Sequence, residues 1–127
     1  PAGLGTGFRL ATCGADRCVV VTCTDASSLR DAQHTVMDLN RFPAGRLHLV
    51  VNRGRKKLLR QLHATIDDAI DKAGLPLLGV VPEDDALPLC LNRGIPVPLA
   101  GSQLSAAAYR NIARRIQGER VPLLRIR

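Results

Sequence analysis

Leu47, Leu49, Val50 and Val51 form a nearly continuous apolar run, framed by Pro43 and Gly45 before it and Gly54 after it. A run of this kind predicts a parallel strand buried on both faces. It leads into Asn52, whose side-chain amide donates and accepts hydrogen bonds at once, and then Arg53. A second run, from Leu75 to Val81, leads into Pro82, Glu83 and Asp84. Ligands of open α/β sheets bind at the carboxyl ends of the strands. Two neighbouring strands with polar groups at the same end would make a pocket wall, which is the functional lead of this sequence.

The flanking segments supply the rest of an α/β layer. Residues 18–23 predict a further buried strand, and Thr24, Asp25, Ser27 and Ser28 offer N-cap chemistry. Leu29, Ala32, Val36 and Leu39 then recur at helical spacing, so residues 27–40 read as a helix and the whole as a βαβ unit. Gly3, Gly5 and Gly7 make a turn before a short helix at 8–14. Leu58, Leu59 and Leu62 suit another short helix. Thr65 and Asp68 open a helix over 66–73 that Gly74 would close. Residues 83–91 read as a helix weakened by Pro88, with Glu83 and Asp84 as first-turn acids. Residues 95–99 are proline-broken and at most an edge strand. Ser102 or Ser105 opens a last helix to about Gln117, with Ala106, Tyr109, Ile112, Ala113 and Ile116 on one face and Gly118 after it. Residues 1–127 form a single α/β unit with a parallel sheet.

Composition narrows the function. Phe8, Phe42 and Tyr109 are the only aromatic residues, so the core of this 127-residue chain is aliphatic. No apolar run reaches membrane-span length and no signal peptide is visible. Cys13, Cys18, Cys23 and Cys90 lack CxxC spacing and read as buried free thiols of a reducing cytoplasm. His34, His48 and His63 have no ligand partners at metal spacing, and no G-x-S-x-G is present. The net charge of +7 concentrates in residues 53–60 and 110–127 without interleaved aromatic residues for base stacking. That pattern favours a solvated basic face over a nucleic-acid site and also suits a basic rim around a phosphate. A non-catalytic basic α/β module for nucleic acid or acidic partners is the alternative function.

Gly3, Gly5 and Gly7 do not make the G-x-G-x-x-G fingerprint. They read as a structural turn or as a phosphate cradle at a helix start. Asn52 at a strand end reads as a turn former or as a ligand contact.

Five motifs taken together closely resemble the MinD branch of the MinD/ParA deviant Walker-A ATPases, the septum-site-determining proteins. They are Pro1-Ala2-Gly3 with the glycine turn, Ala15-Asp16-Arg17 before a strand, Ser27 to Ala32, Asn52-Arg53, and Gly79 to Asp84. The resemblance spans the whole chain and corresponds to the carboxyl-terminal half of such a protein. It implies a P-loop NTPase-like, SIMIBI-type parallel layer lacking the P-loop strand. It also implies ATP-gated homodimerisation that positions cell division, with a cell-division regulator as partner. In such proteins Pro1, Ala2 and Gly3 would end the switch that senses the γ-phosphate. Asn52 with Arg53 would meet the base, Pro82, Glu83 and Asp84 would close over the adenine, and Asp31 would lie near the dimer and partner surface.

The departure from the family is at the phosphates. A Walker-A loop needs a glycine followed by lysine, and none of the eleven glycines here is. The expectation is a cytoplasmic fragment with no catalytic residue of its own, inactive alone. ATP or ADP with Mg²⁺ would bind only in the full-length protein. Val121 to Arg127 is too short and proline-interrupted for an interfacial helix, so no autonomous membrane anchor is expected.

Overall fold

In a computed structural model, residues 3–55, 57, 60–61, 75–100 and 102–124 are described. Among these residues there are three strands, β1 (Cys18–Thr22), β2 (Leu47–Gly54) and β3 (Leu77–Pro82). The helices whose bounds are described are α1 (Thr6–Cys13), α2 (Ala26–Asp38), α3 (Ala86–Asn92), α4 (Val97–Ala100) and α5 (Gln103–Ile116). The sheet is parallel in the order β1-β2-β3. The expected helix over 66–73 and the residues Pro1 and Ala2 lie outside the described residues.

Period-two alternation along β2 divides the core between two faces. Leu47, Leu49 and Val51 join Val20, Leu39 and Leu75, with Phe8, Ala32, Val36 and Phe42 of the α1–α2 side packed on them. Val50 points the other way and joins Leu78, Val81 and Ala108, with Ile112 of α5 against them. Helices therefore cover both sides of β2, and Val51 is 0% exposed.

Aspartate rather than serine caps α2: Asp25 accepts from the Ser28 N–H at 2.8 Å and from the Ser28 hydroxyl at 2.7 Å. These bonds hold the Asp25 carboxyl below its ordinary pKa. Ser102 caps α5 in the same way. Gly118 ends that helix at φ +90°, its N–H bonding the Arg115 carbonyl and the Glu119 N–H reaching Arg114.

Several expectations need correction. β1 is not buried on both faces, because α5 packs on β3 and leaves the second face of β1 open. Val19 and Val21 are 41% and 61% exposed. Residues 95–99 hold no strand: Val97–Ala100 is one helical turn, with Leu99 N–H bonded to the Pro96 carbonyl at 2.9 Å. Proline fixes φ near the helical value, and a first turn does not need its missing N–H. On α5 Ala106 and Ile112 are covered as expected, together with Ser105 and Ala108, while Tyr109, Ala113 and Ile116 are exposed. Of the four thiols only Cys90 is buried; Cys13 is exposed, and Cys18 and Cys23 are half-buried. Burial still raises the Cys18 pKa.

Candidate functional site

β2 does not stop at its apolar run but continues through Asn52 and Arg53 to Gly54. Val51 pairs with Val80 and Gly54 with Pro82, so Asn52 and Arg53 together stand opposite Val81 alone. This is a β-bulge, a device that re-aims side chains beside sites. Its second residue, Arg53, takes the left-handed conformation at φ +55°. That costs about 1–2 kcal/mol for a residue with a Cβ. The strained turn brings the Arg53 N–H onto Asn52 Oδ1 at 3.0 Å. The Asn52 amide is thereby fixed, and its Nδ2 makes no hydrogen bond to another described residue.

The two carboxylates beside it are occupied. Glu83 N–H bonds the Gly54 carbonyl at 3.0 Å, which places the Glu83 side chain by β2. Arg55 Nε and Arg53 Nη2 both bond its carboxylate, the latter at 3.0 Å. Arg55 foremost, with Arg53, holds the Glu83 pKa down to about 2, and the pairing raises that of Arg55. Asp84 is not a first-turn acid, since α3 begins only at Ala86. Its Oδ1 accepts from the Ala86 N–H at 2.9 Å. Its Oδ2 accepts from the Ser102 N–H at 3.2 Å and from the Ser105 hydroxyl. Hydrogen bonds from Ser102 and Ser105 hold its pKa down to about 2.

The structure therefore brings Asn52, Arg53, Pro82, Glu83 and Asp84 to one end of the sheet. Both carboxylates are ionised at neutral pH and already partnered, so neither is poised as a general base. No group of three or more His, Cys, Asp or Glu side chains among the described residues could hold a metal ion. The site is an open surface: the Arg53 and Arg55 side chains are 66% and 62% exposed. Two grooves of about 500 and 540 Å³ lie at the opposite end of the layer, one by Leu77, Arg115 and Val121, the other by Phe8, Arg9 and Arg41.

Gly3 and Asp31 stand apart from this cluster. Gly3 precedes α1 at φ +81°, a conformation that favours glycine, and Asp31 is exposed on α2. Sequence reasoning missed Arg55, Ser102 and Ser105. Ser102 was legible as a cap, but nothing local ties either serine to an aspartate 18 or 21 residues earlier. No helix among the described residues is long and apolar enough to cross a membrane.

Comparison with known proteins gives a consistent result. No protein-family profile matches the chain. The septum site-determining protein MinD of Bacillus subtilis is 38% identical over 97% of this chain and 47% of that protein. MinD of Synechocystis is 33% identical over 98% of this chain and 47% of that protein. The chain thus spans about half the length of the curated relatives it matches. Among solved structures, the MinC:MinD cell division protein complex of Aquifex aeolicus matches with a TM-score of 0.85 and 29% identity. That match covers 100% of this chain and 53% of the matched one. MinD of Pyrococcus horikoshii, complexed with Mg-ADP, matches with a TM-score of 0.72 at 27% identity, over 91% of this chain and 47% of that one. In sequence and in its parallel α/β layer, this chain is MinD-like and corresponds to about half of such a protein.

Proposed function

We propose that this chain is the base-binding half of a MinD-like ATPase that acts in division-site placement through ATP-gated dimerisation. The likeness to MinD proteins supports the cellular role. The observation that carries the site is Asn52, an amide fixed through Oδ1 at a strand's carboxyl end, its Nδ2 bonded to no other described residue. An amide can pair with the N6/N7 edge of adenine through one donor and one acceptor. The second lone pair of Oδ1 remains for the acceptor role.

The residues present fit the base end of a nucleotide and not its phosphates or Mg²⁺. Arg53 and Arg55 are held on Glu83, and the sequence has no Gly-Lys pair. When bound, the nucleotide would supply the γ-phosphate whose presence gates dimerisation. Pro82 and Glu83 would border the base. Pro1, Ala2 and Gly3 would report the phosphate state, and the open edge of β1 would receive a strand from the other half of the protein. The Mg-ADP complex of the Pyrococcus relative motivates the ligand. The Aquifex MinC:MinD complex motivates a MinC-like regulator as partner, with Asp31 near its surface.

The test joins this chain to the upstream half of a MinD relative and titrates Mg-ADP. Asn52→Ala should weaken binding by about 1–3 kcal/mol, the cost of a polar partner lost in a site closed to water. It should also erode the preference for ATP over GTP. Unchanged affinity and preference would remove Asn52 from the site.

A further inference from the structure

We propose that Asp84 acts as a positioning residue rather than as a ligand contact, with Ser102 and Ser105 as its partners. The inference rests on the nucleotide reading of the strand ends and adds two functional serines to it. Three groups donate to the Asp84 carboxylate: Ala86 N–H, Ser102 N–H and the Ser105 hydroxyl. Ser105 is 0% exposed, so its hydroxyl reaches a ligand only through Asp84. The Ser102 hydroxyl lies 3.1 Å from that of Ser105 and accepts from the Ser105 N–H. The start of α5 and the end of β3 are thus tied to one carboxylate.

The helix start favours that negative charge on its own account. What it holds matters more. Asp84 directly follows Glu83, whose N–H bonds Gly54 and whose carboxylate carries Arg53 and Arg55. Arg53 in turn fixes the Asn52 amide through its own N–H. A rigid chain of contacts therefore runs from Ser105 through Asp84 and Glu83 to Arg53 and Asn52. A loop pinned at Asp84 keeps Pro82 and Glu83 at a constant distance from the base-reading amide. A site tied to a rigid element is more precise than one on a free loop.

Hydrogen exchange read by mass spectrometry tests this on the chain joined to the upstream half of a MinD relative, with AMP as the probe. In Asp84→Asn and in Ser105→Ala, exchange at the Glu83 amide should rise about tenfold, the effect of one lost hydrogen bond on local opening. The concentration of AMP needed to protect residues 52–55 should rise by a similar factor in both. The double variant should do no more than either single one, because the two groups act as a unit. Ser105→Thr, which keeps the hydroxyl, should restore wild-type behaviour. If Ser105→Ala matches the wild type while Asp84→Asn loses AMP protection, Asp84 touches the ligand itself and the proposal is overturned. A wild-type chain that AMP does not protect at 52–55 when joined to that upstream half refutes the nucleotide reading instead, and the positioning role falls with it.

Discussion

The open edge of β1 and the carboxyl ends of β2 and β3 solve opposite problems with the same raw material. At the strand ends Glu83 and Asp84 have both found partners: Glu83 holds two guanidiniums, and Asp84 takes three donors. Along β1 the apolar side chains have not. Val20 and Thr22 face the α1–α2 side and are buried, whereas Val19 and Val21 are exposed on the side that α5 leaves uncovered. Among the described residues the outer edge of β1 is unpaired, since its only neighbour in the sheet is β2. Charges, bulges and prolines normally protect such an edge, and residues 18–22 contain none of them. The polar corner is finished and the apolar edge is not. A protein can leave an apolar face and edge open when another segment is meant to cover them.

The largest effect should come from that edge. The chain alone is expected to self-associate through β1, and Val21→Lys should convert it to a monomer by sedimentation velocity. Val21 is 61% exposed, so the lysine has room and its charge opposes pairing. Equal sedimentation of the variant and the parent would show that the edge is already protected.

Next in size is the side of the sheet that is covered. A Cβ on Gly79 would lie 2.5 Å from Ile112 Cγ1, so α5 approaches β3 closely at this glycine. Gly79→Ala should destabilise the fold by about 1–3 kcal/mol through overpacking. Denaturant unfolding measures it. A variant as stable as the parent would mean that α5 shifts freely, and the contrast between a covered β3 and an uncovered β1 would lose its basis.

The smallest effect is the pH response of the polar corner. Glu83 and Asp84 both sit at about 2, below their ordinary values of 4.5 and 3.8. Carboxylates depressed on folding stabilise the native state fully above their ordinary values, and that stabilisation is lost as pH falls toward 2. Stability should therefore decline between about pH 4.5 and 2. Glu83→Gln should flatten the part of the decline that Arg55 and Arg53 create, and added salt should reduce it, because this pair is partly exposed. A pH profile of unfolding identical in parent and variant would show that the pair contributes nothing.

Much of the layer was legible because it rests on local pattern. The apolar run at 47–51, the helical spacing from Leu29 to Leu39 and the stop at Gly118 each report one element from its own residues. Asn52 was legible as the polar end of a strand. What escaped depends on distant partners. The residues of β1 read as buried because the pattern of valines cannot say whether a helix lies over them. Glu83 and Asp84 read as first-turn acids because their partners, Arg55 excepted, are set by the bulge at Arg53 and by serines a helix away. Residues 95–99 read as extended because two prolines exclude a long helix, though they permit a single turn.

The most direct measurement pairs the edge with the site. This chain, produced together with the upstream half of a MinD relative, should form a soluble complex that binds Mg-ADP tightly. Val21→Lys should abolish both assembly and tight binding, since the lysine would then be buried beneath the segment that covers this face of β1. The 127 residues alone should hydrolyse no ATP. A well-behaved monomer of this chain with magnesium-dependent ATPase activity, or tight Mg-ADP binding that needs no second half, would contradict the reading of a finished base site beside an unfinished sheet.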